Sequence, residues 1–192
     1  RHLTVTDCGE LVKDTPQLTL NLSAVAKGFG VDEIIRILRQ QGFTNSYAAI
    51  AGEVMASGHN ARGTPWQVAI TEPLPHWREG DPFTAIVPLS NRAISTSGDY
   101  QKFFVNSSGR RLSHIFDPRS GHPVQHDLTA VSVVAPDCMT ADALATTLFV
   151  LGAKAGLSFI EDRPEAAALF IVRNPDGTFS QSPSRRFMQL SG

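Results

Sequence analysis

Apolar and polar residues alternate along most of the chain. The runs RHLTVTD, QLTLNL, SYAAIAGEVMAS, WQVAI, TAIVPLS, RAISTS, KFFVNSSGRRLSHIFD and LTAVSVVA repeatedly place apolar side chains at every second position. Period two is the spacing of one face of a strand, so these runs predict many short strands. Turn residues separate them: Ser107-Ser108-Gly109 divides two alternating runs, and NPDG at 174–177 divides AALFIV from TFSQS. Both read as hairpins, and the sheet is expected to be mostly antiparallel.

Two stretches switch to helical spacing. The first starts at Ser23, an N-cap after the strand LTLNL, and carries Val31, Ile34, Ile35 and Leu38 as an apolar stripe before Gly42 stops it. The second runs from Thr140, its expected N-cap, to Leu151, with Ala141, Leu144, Ala145, Leu148 and Phe149 as the buried stripe. Gly152 ends it, and a shorter helix is expected over AKAGLSFIED. The fold class is therefore α+β: a mostly antiparallel sheet with two main helices and one shorter helix packed on it. TEPLPHWREGDP is the one long irregular insertion, and no repeat or interdomain linker divides the chain.

Composition narrows the function classes. Hydrophobic residues make up 42% and charged residues 18% of 192, the balance of a globular protein that folds. Seventeen Lys and Arg stand against 18 Asp and Glu, with no basic run to track a nucleic-acid backbone, so nucleic acid is not expected as a partner. The two cysteines, Cys8 and Cys138, match no zinc or redox spacing and form a disulfide only if folding brings them together. No run approaches the roughly 18 apolar residues of a membrane span, so no transmembrane helix is expected. The opening RHLTVTDCGE has no Met, apolar signal core or cleavage site, and reads as the middle of a longer protein.

Several segments offer chemistry. At about 100° per residue, Asp142 and Thr146 lie one turn and roughly 40° apart on the second helix. A carboxylate and a hydroxyl pointing the same way suit a hard cation such as Mg2+. A favourable first-turn charge beside a filler threonine is the plainer reading, and spacing alone favours it. In SAVAKGFGVD, small residues and two glycines at a helix start admit a pyrophosphate or another chain, and Lys27 adds positive charge; tight packing explains the glycines more simply. Ser95, Thr96, Ser97 and Gly98 could hold a ribose or phosphate, or only make a turn. Gly52-Glu53 interrupts a strand pattern, which indicates a bulge or a close backbone approach to a ligand. In SHIFDPRSGHP, His114 is placed on a strand sharing one face with Phe116, with Asp117-Pro118 opening the turn and Gly121 closing it; it serves as a base, a metal ligand or a packed turn residue.

Taken in order, LNLSAVAKGFGVDEI, AGEVMASG, STSGDYQKFF, SHIFDPRSGHPV and ADALATTLFVLG resemble one family, the ApbE-type FAD:protein FMN transferases, formerly described as thiamine-biosynthesis lipoproteins. The resemblance implies an ApbE-like, T-fold-like single domain over 1–192, corresponding to the family after its N-terminal segment. It implies Mg2+-dependent transfer of FMN from FAD to a Thr or Ser hydroxyl of a target flavoprotein, with release of AMP. An FAD pyrophosphatase giving FMN and AMP, or a noncatalytic FAD-binding protein, are the alternatives. Carried over by motif, the side chains of Asp142 and Thr146 and the carbonyl of Ala24 match the metal ligands. Lys27 would face the pyrophosphate, Gly52, Glu53, Ser97 and Gly98 would line the nucleotide pocket, and His114 would be the base. Asn21 stands where the family usually has aspartate. Members of this family are usually exported, which implies the bacterial periplasm, with a lipid anchor to the inner membrane in the full-length protein.

Overall fold

The computed structural model describes residues 2–100, 103–105, 107 and 111–190. The chain opens with a ribbon of β1 (Leu3–Val5) and β2 (Leu11–Lys13), then α1 (Ala26–Gln40) and the hairpin β3 (Ser46–Ile50) and β4 (Glu53–Ser57). A second ribbon, β5 (Trp66–Thr71) and β6 (Phe83–Leu89), leads to β7 (Arg92–Gly98). Short pairs follow, β8 (Phe103–Val105) with β9 (Arg111–Ser113) and β10 (Phe116–Asp117) with β11 (His122–Pro123). The chain closes with β12 (Leu128–Ala135), α2 (Cys138–Glu161), β13 (Ala167–Arg173), β14 (Phe179–Pro183) and α3 (Arg185–Leu190).

Six strands form the central sheet in the order β14-β13-β12-β7-β4-β3, every pair antiparallel. Alternation along β12 explains why this strand is buried throughout. Val131, Val133 and Ala135 face a core shared with Val31 and Ile35 of α1 and Ala141, Ala145, Leu148 and Phe149 of α2. Ala130 and Val134 face a second core with Ile70, Val87, Leu89 and Phe187. Helices α1 and α2 thus cover one face, and the β5-β6 ribbon and α3 the other. Burying a large aliphatic side chain in either core stabilises the fold by about 1.5–3 kcal/mol.

The structure corrects several expectations. Residues 17–22 (QLTLNL) form no strand: Leu20 and Leu22 are exposed, and alternation without a neighbouring strand gives no ladder. Helix α1 begins at Ala26 with Val25 at its cap, while the Ser23 N–H donates to Asn21 Oδ1 at 2.9 Å in a local turn. Ile34 is 40% exposed, outside the Val31–Ile35 stripe. Gly42 ends the helix as expected: at φ 89° it lets the Phe43 N–H reach the Leu38 carbonyl at 2.9 Å. The cap of α2 is Asp137, which accepts from the Thr140 N–H at 2.7 Å, and Thr140 only donates its hydroxyl back to it. Gly152 (φ 76°, ψ 170°) breaks α2 where the sequence ends one helix and begins the next. Gly52 marks no bulge: Ala51 (φ 48°) and Gly52 (φ 102°) form a two-residue hairpin turn with β3 and β4 in unbroken register.

Cys8 is exposed and Cys138 buried, and both are free thiols. In the 107–109 turn, Ser108 and Gly109 lie outside the described residues. Read through the break at Gly152, α2 is by length and composition apolar enough to cross a membrane, with a mean hydropathy of 1.7 over an 18-residue window, contrary to the expectation from apolar run length. In the fold this helix lies across the sheet, with Asp142 buried near its start.

Candidate active site

Four elements converge beneath the first turns of α2. On β4 and β7 the side chains that face the helices are set by period two: Glu53 and Met55 on one strand, Ala93, Ser95 and Ser97 on the other. Glu53, directly after the hairpin turn, is 3% exposed. Its Oε1 accepts from the Lys27 ammonium at 2.8 Å, while Oε2 is buried with no hydrogen-bond partner. The same ammonium also donates to Asp142 Oδ1, at 3.4 Å. Asp142 Oδ2 accepts from the Gly28 N–H at 3.1 Å. One turn along α2, the Thr146 hydroxyl meets the Ser97 hydroxyl at 3.2 Å.

Two features of α1 allow this convergence. A Cβ on Gly28 would lie 2.7 Å from Met139 Cα, so only glycine lets the two helix starts come this close. The glycines of SAVAKGFG therefore serve packing, since Gly30 in turn abuts Ile50. One turn beyond Gly28, Asp32 accepts from the N–H groups of Cys138 and Met139, both at 2.8 Å. With the Asp137 side chain on Thr140 and the Asp137 carbonyl on Ala141, the first four N–H groups of α2 are all satisfied. Asp32 was not singled out from the sequence. Its spacing of four from Gly28, on one helix face, is the signal that could have found it.

The electrostatics follow from burial. Burial pushes the Glu53 carboxyl up, and the Lys27 ammonium only partly offsets it. For Lys27, burial works downward but the Glu53 and Asp142 carboxylates outweigh it, so its pKa is raised and the side chain stays charged. Cys138 is pushed up strongly by burial, then by Asp32, Glu53, Asp142 and Asp137. It stays protonated and is no nucleophile.

The remaining expected residues lie around this cluster. Ala24 sits in the turn that leads into α1. The Gly28 N–H, which a regular helix would spend on the carbonyl four residues back, goes to Asp142 instead; among the described residues no backbone N–H reaches the Ala24 carbonyl. Gly98 is hemmed by the Thr129 carbonyl and the Tyr100 ring, a packing position at the end of β7. Gly52 is exposed at the hairpin tip. His114 is on no strand: it stands exposed on a bend between β9 and β10, because Ile115 turns inward to the core and carries the chain with it. Both Asp117 oxygens engage the Arg119 guanidinium, at 2.9 and 2.7 Å, which pulls the Asp117 carboxyl down to about 2. Two sets of contacts lie under α2: Lys27 with Glu53 and Asp142, and Ser97 with Thr146. A cleft of about 640 Å³, lined by Arg119, His126, Gly152 and Lys154 among others, opens elsewhere, some ten residues or about 15 Å along α2 from Asp142.

The donor chemistry of the expected ligands is that of a hard-cation site. Among the described residues no three His, Cys, Asp or Glu side chains gather as a metal cluster. Asp142, Thr146 and the Ala24 carbonyl are instead one carboxylate, one hydroxyl and one carbonyl, an all-oxygen set of the kind Mg2+ takes when substrate and water complete its shell.

Known proteins match this chain over most of its length. The ApbE family model covers residues 1–170. A curated relative, the FAD:protein FMN transferase of Haemophilus influenzae, is 39% identical over 174 residues, 91% of this chain and 49% of that protein. The solved flavin transferase ApbE of Vibrio cholerae superimposes with a TM-score of 0.83 at 37% identity, over 98% of this chain and 58% of that one. The flavinyl transferase ApbE of Pseudomonas stutzeri, in apo form, gives 0.84 at 37% identity, over 100% and 56%. The chain spans about half the length of the curated relatives it matches. With a family match across most of its residues and a shared fold at this level of identity, the chain belongs to the ApbE family.

Proposed function

We propose that this chain carries the phosphoryl-transfer centre of a Mg2+-dependent FAD:protein FMN transferase, which moves FMN from FAD onto a Thr or Ser hydroxyl of a target flavoprotein and releases AMP. The cluster beneath the start of α2 carries the reading: an ammonium shared by two buried carboxylates beside a hydroxyl pair, on the segments that resemble the family's motifs.

Asp142, Thr146 and the Ala24 carbonyl would hold Mg2+, which supplies positive charge against the phosphoryl oxygens and the leaving AMP phosphate. Lys27, 39% exposed at its side chain, points a permanent positive charge at the pyrophosphate and neutralises the buried carboxylates behind it. The segments carrying Ser97, Gly98, Gly52 and Glu53 would border the nucleotide, with the buried Glu53 acting through Lys27. The acceptor oxygen bonds to the FMN phosphorus as the bond from that phosphorus to the AMP oxygen breaks, and the hydroxyl proton passes to His114. An exposed histidine on a bend suits a base that must meet a hydroxyl arriving on another protein. Asp117, locked to Arg119, fixes the turn that follows. The proposed setting is the bacterial periplasm, with a lipid anchor to the inner membrane in the full-length protein; it rests on resemblance to exported members.

Incubating the chain with FAD, Mg2+ and a target flavoprotein carrying an acceptor Thr tests the reading. Covalent flavin on the target, with one AMP released per flavin, is the expected result. Free FMN with an unmodified target identifies a pyrophosphatase, and bound FAD without AMP identifies a binder; both results contradict the proposal.

A further inference from the structure

Lys27 is shared unequally between two buried acids, and the inequality has a use. Its ammonium is 2.8 Å from Glu53 and 3.4 Å from Asp142. The side chains of these acids are 5% and 2% exposed, so water screens neither pair well. Two carboxylates face one ammonium, and the Glu53 oxygen turned away from Lys27 has no hydrogen-bond partner. A buried carboxylate oxygen without a partner is an expensive feature beside a helix start whose first four N–H groups are all satisfied. A glutamine at this position would fill the same volume without the buried charge.

We infer that Glu53 is a positioning residue that draws the Lys27 ammonium toward itself and leaves only a long hydrogen bond to Asp142, so that Asp142 Oδ1 can still take a divalent cation. The inference rests on the reading of Asp142 as a metal ligand. Without the Glu53 carboxylate, Lys27 has one buried anion within reach and closes on Asp142 as a one-to-one pair. An incoming dication must then displace the ammonium from the oxygen it needs. With Glu53 in place, Lys27 keeps a partner when the cation arrives and remains directed at the substrate phosphates. Glu53 acts through Lys27 and touches no reacting atom.

A double-mutant cycle read by Mg2+ affinity, with Mg2+ alone as the titrant and no FAD, separates this role from a general field effect of the acid. In the native background Glu53→Gln weakens Mg2+ binding by about tenfold or more, the range typical of groups that orient metal ligands. In the Lys27→Met background the same change alters affinity by less than about twofold, because there is no ammonium to hold. Equal losses in both backgrounds, or no loss in the native one, overturn the inference. Glu53→Asp keeps the charge but shortens the reach, and weakens binding if the 2.8 Å contact matters; unchanged affinity contradicts the tether. If native and Asp142→Ala chains take up Mg2+ equally, the metal reading itself falls, and the tether with it. Metal binding at Asp142 with an additive cycle removes the tether alone.

Discussion

At Gly28 a hydrogen atom in place of a methyl group decides whether two helix starts can touch. A Cβ there would sit 2.7 Å from Met139 Cα, and backbone cannot rotate away as a side chain does. Gly28→Ala is therefore expected to destabilise the fold by about 1–3 kcal/mol despite alanine's better helix propensity, as seen in the midpoint of urea unfolding. It also pulls the Gly28 N–H off Asp142. A second residue-scale expectation concerns pH. Asp117 titrates near 2 when folded, below its ordinary 3.8, so its pairing with Arg119 adds stability above the unfolded value and loses it as pH falls toward 2. Unfolding curves of Asp117→Asn should converge with those of the native chain across that acid window. At this scale the sequence was partly legible. The spacing of Asp142 and Thr146 marks a shared helix face, but no spacing shows that Lys27 and Glu53, 26 positions apart, meet Asp142 in a buried cluster.

At the scale of elements, the α1–α2 junction is built by charge as much as by packing. Asp32 supplies both oxygens to the first two N–H groups of α2, and Asp137 supplies the next. Removing the first set with Asp32→Ala should cost about 0.5–2 kcal/mol, measured by chemical unfolding, and should reduce hydrogen-exchange protection in the first turn of α2 before other regions. Helix stripes and stops were readable because period 3.6 and Gly42 act locally. The start of α2 was misread by three residues because Asp137 stands one turn earlier than Thr140 and is the stronger acceptor. QLTLNL failed for the complementary reason: alternation reports which side chains could share a face, and a strand forms only where a partner strand offers its ladder.

For the whole molecule, the antiparallel α+β character follows from alternation and hairpin signals, but the strand order does not. β7 lies between β4 and β12, so pairings distant in sequence set the order. That order carries the site: it puts Ser97 of β7 and Glu53 of β4 under one helix, which no local pattern encodes. The Gly52-Glu53 interruption marks a hairpin turn and not a bulge, and that turn delivers Glu53 into the core at the first residue of β4. His114 shows the limit from the other side. Its motif was conspicuous in sequence, but the expected strand is absent and the residue stands exposed on a bend between β9 and β10. The central claim is that phosphoryl transfer depends on Asp142, and AMP release from FAD by native and Asp142→Ala chains, with Mg2+ and with chelator, tests it directly. The account predicts Mg2+-dependent release by the native chain and none above background for Asp142→Ala; equal release by the two would contradict it.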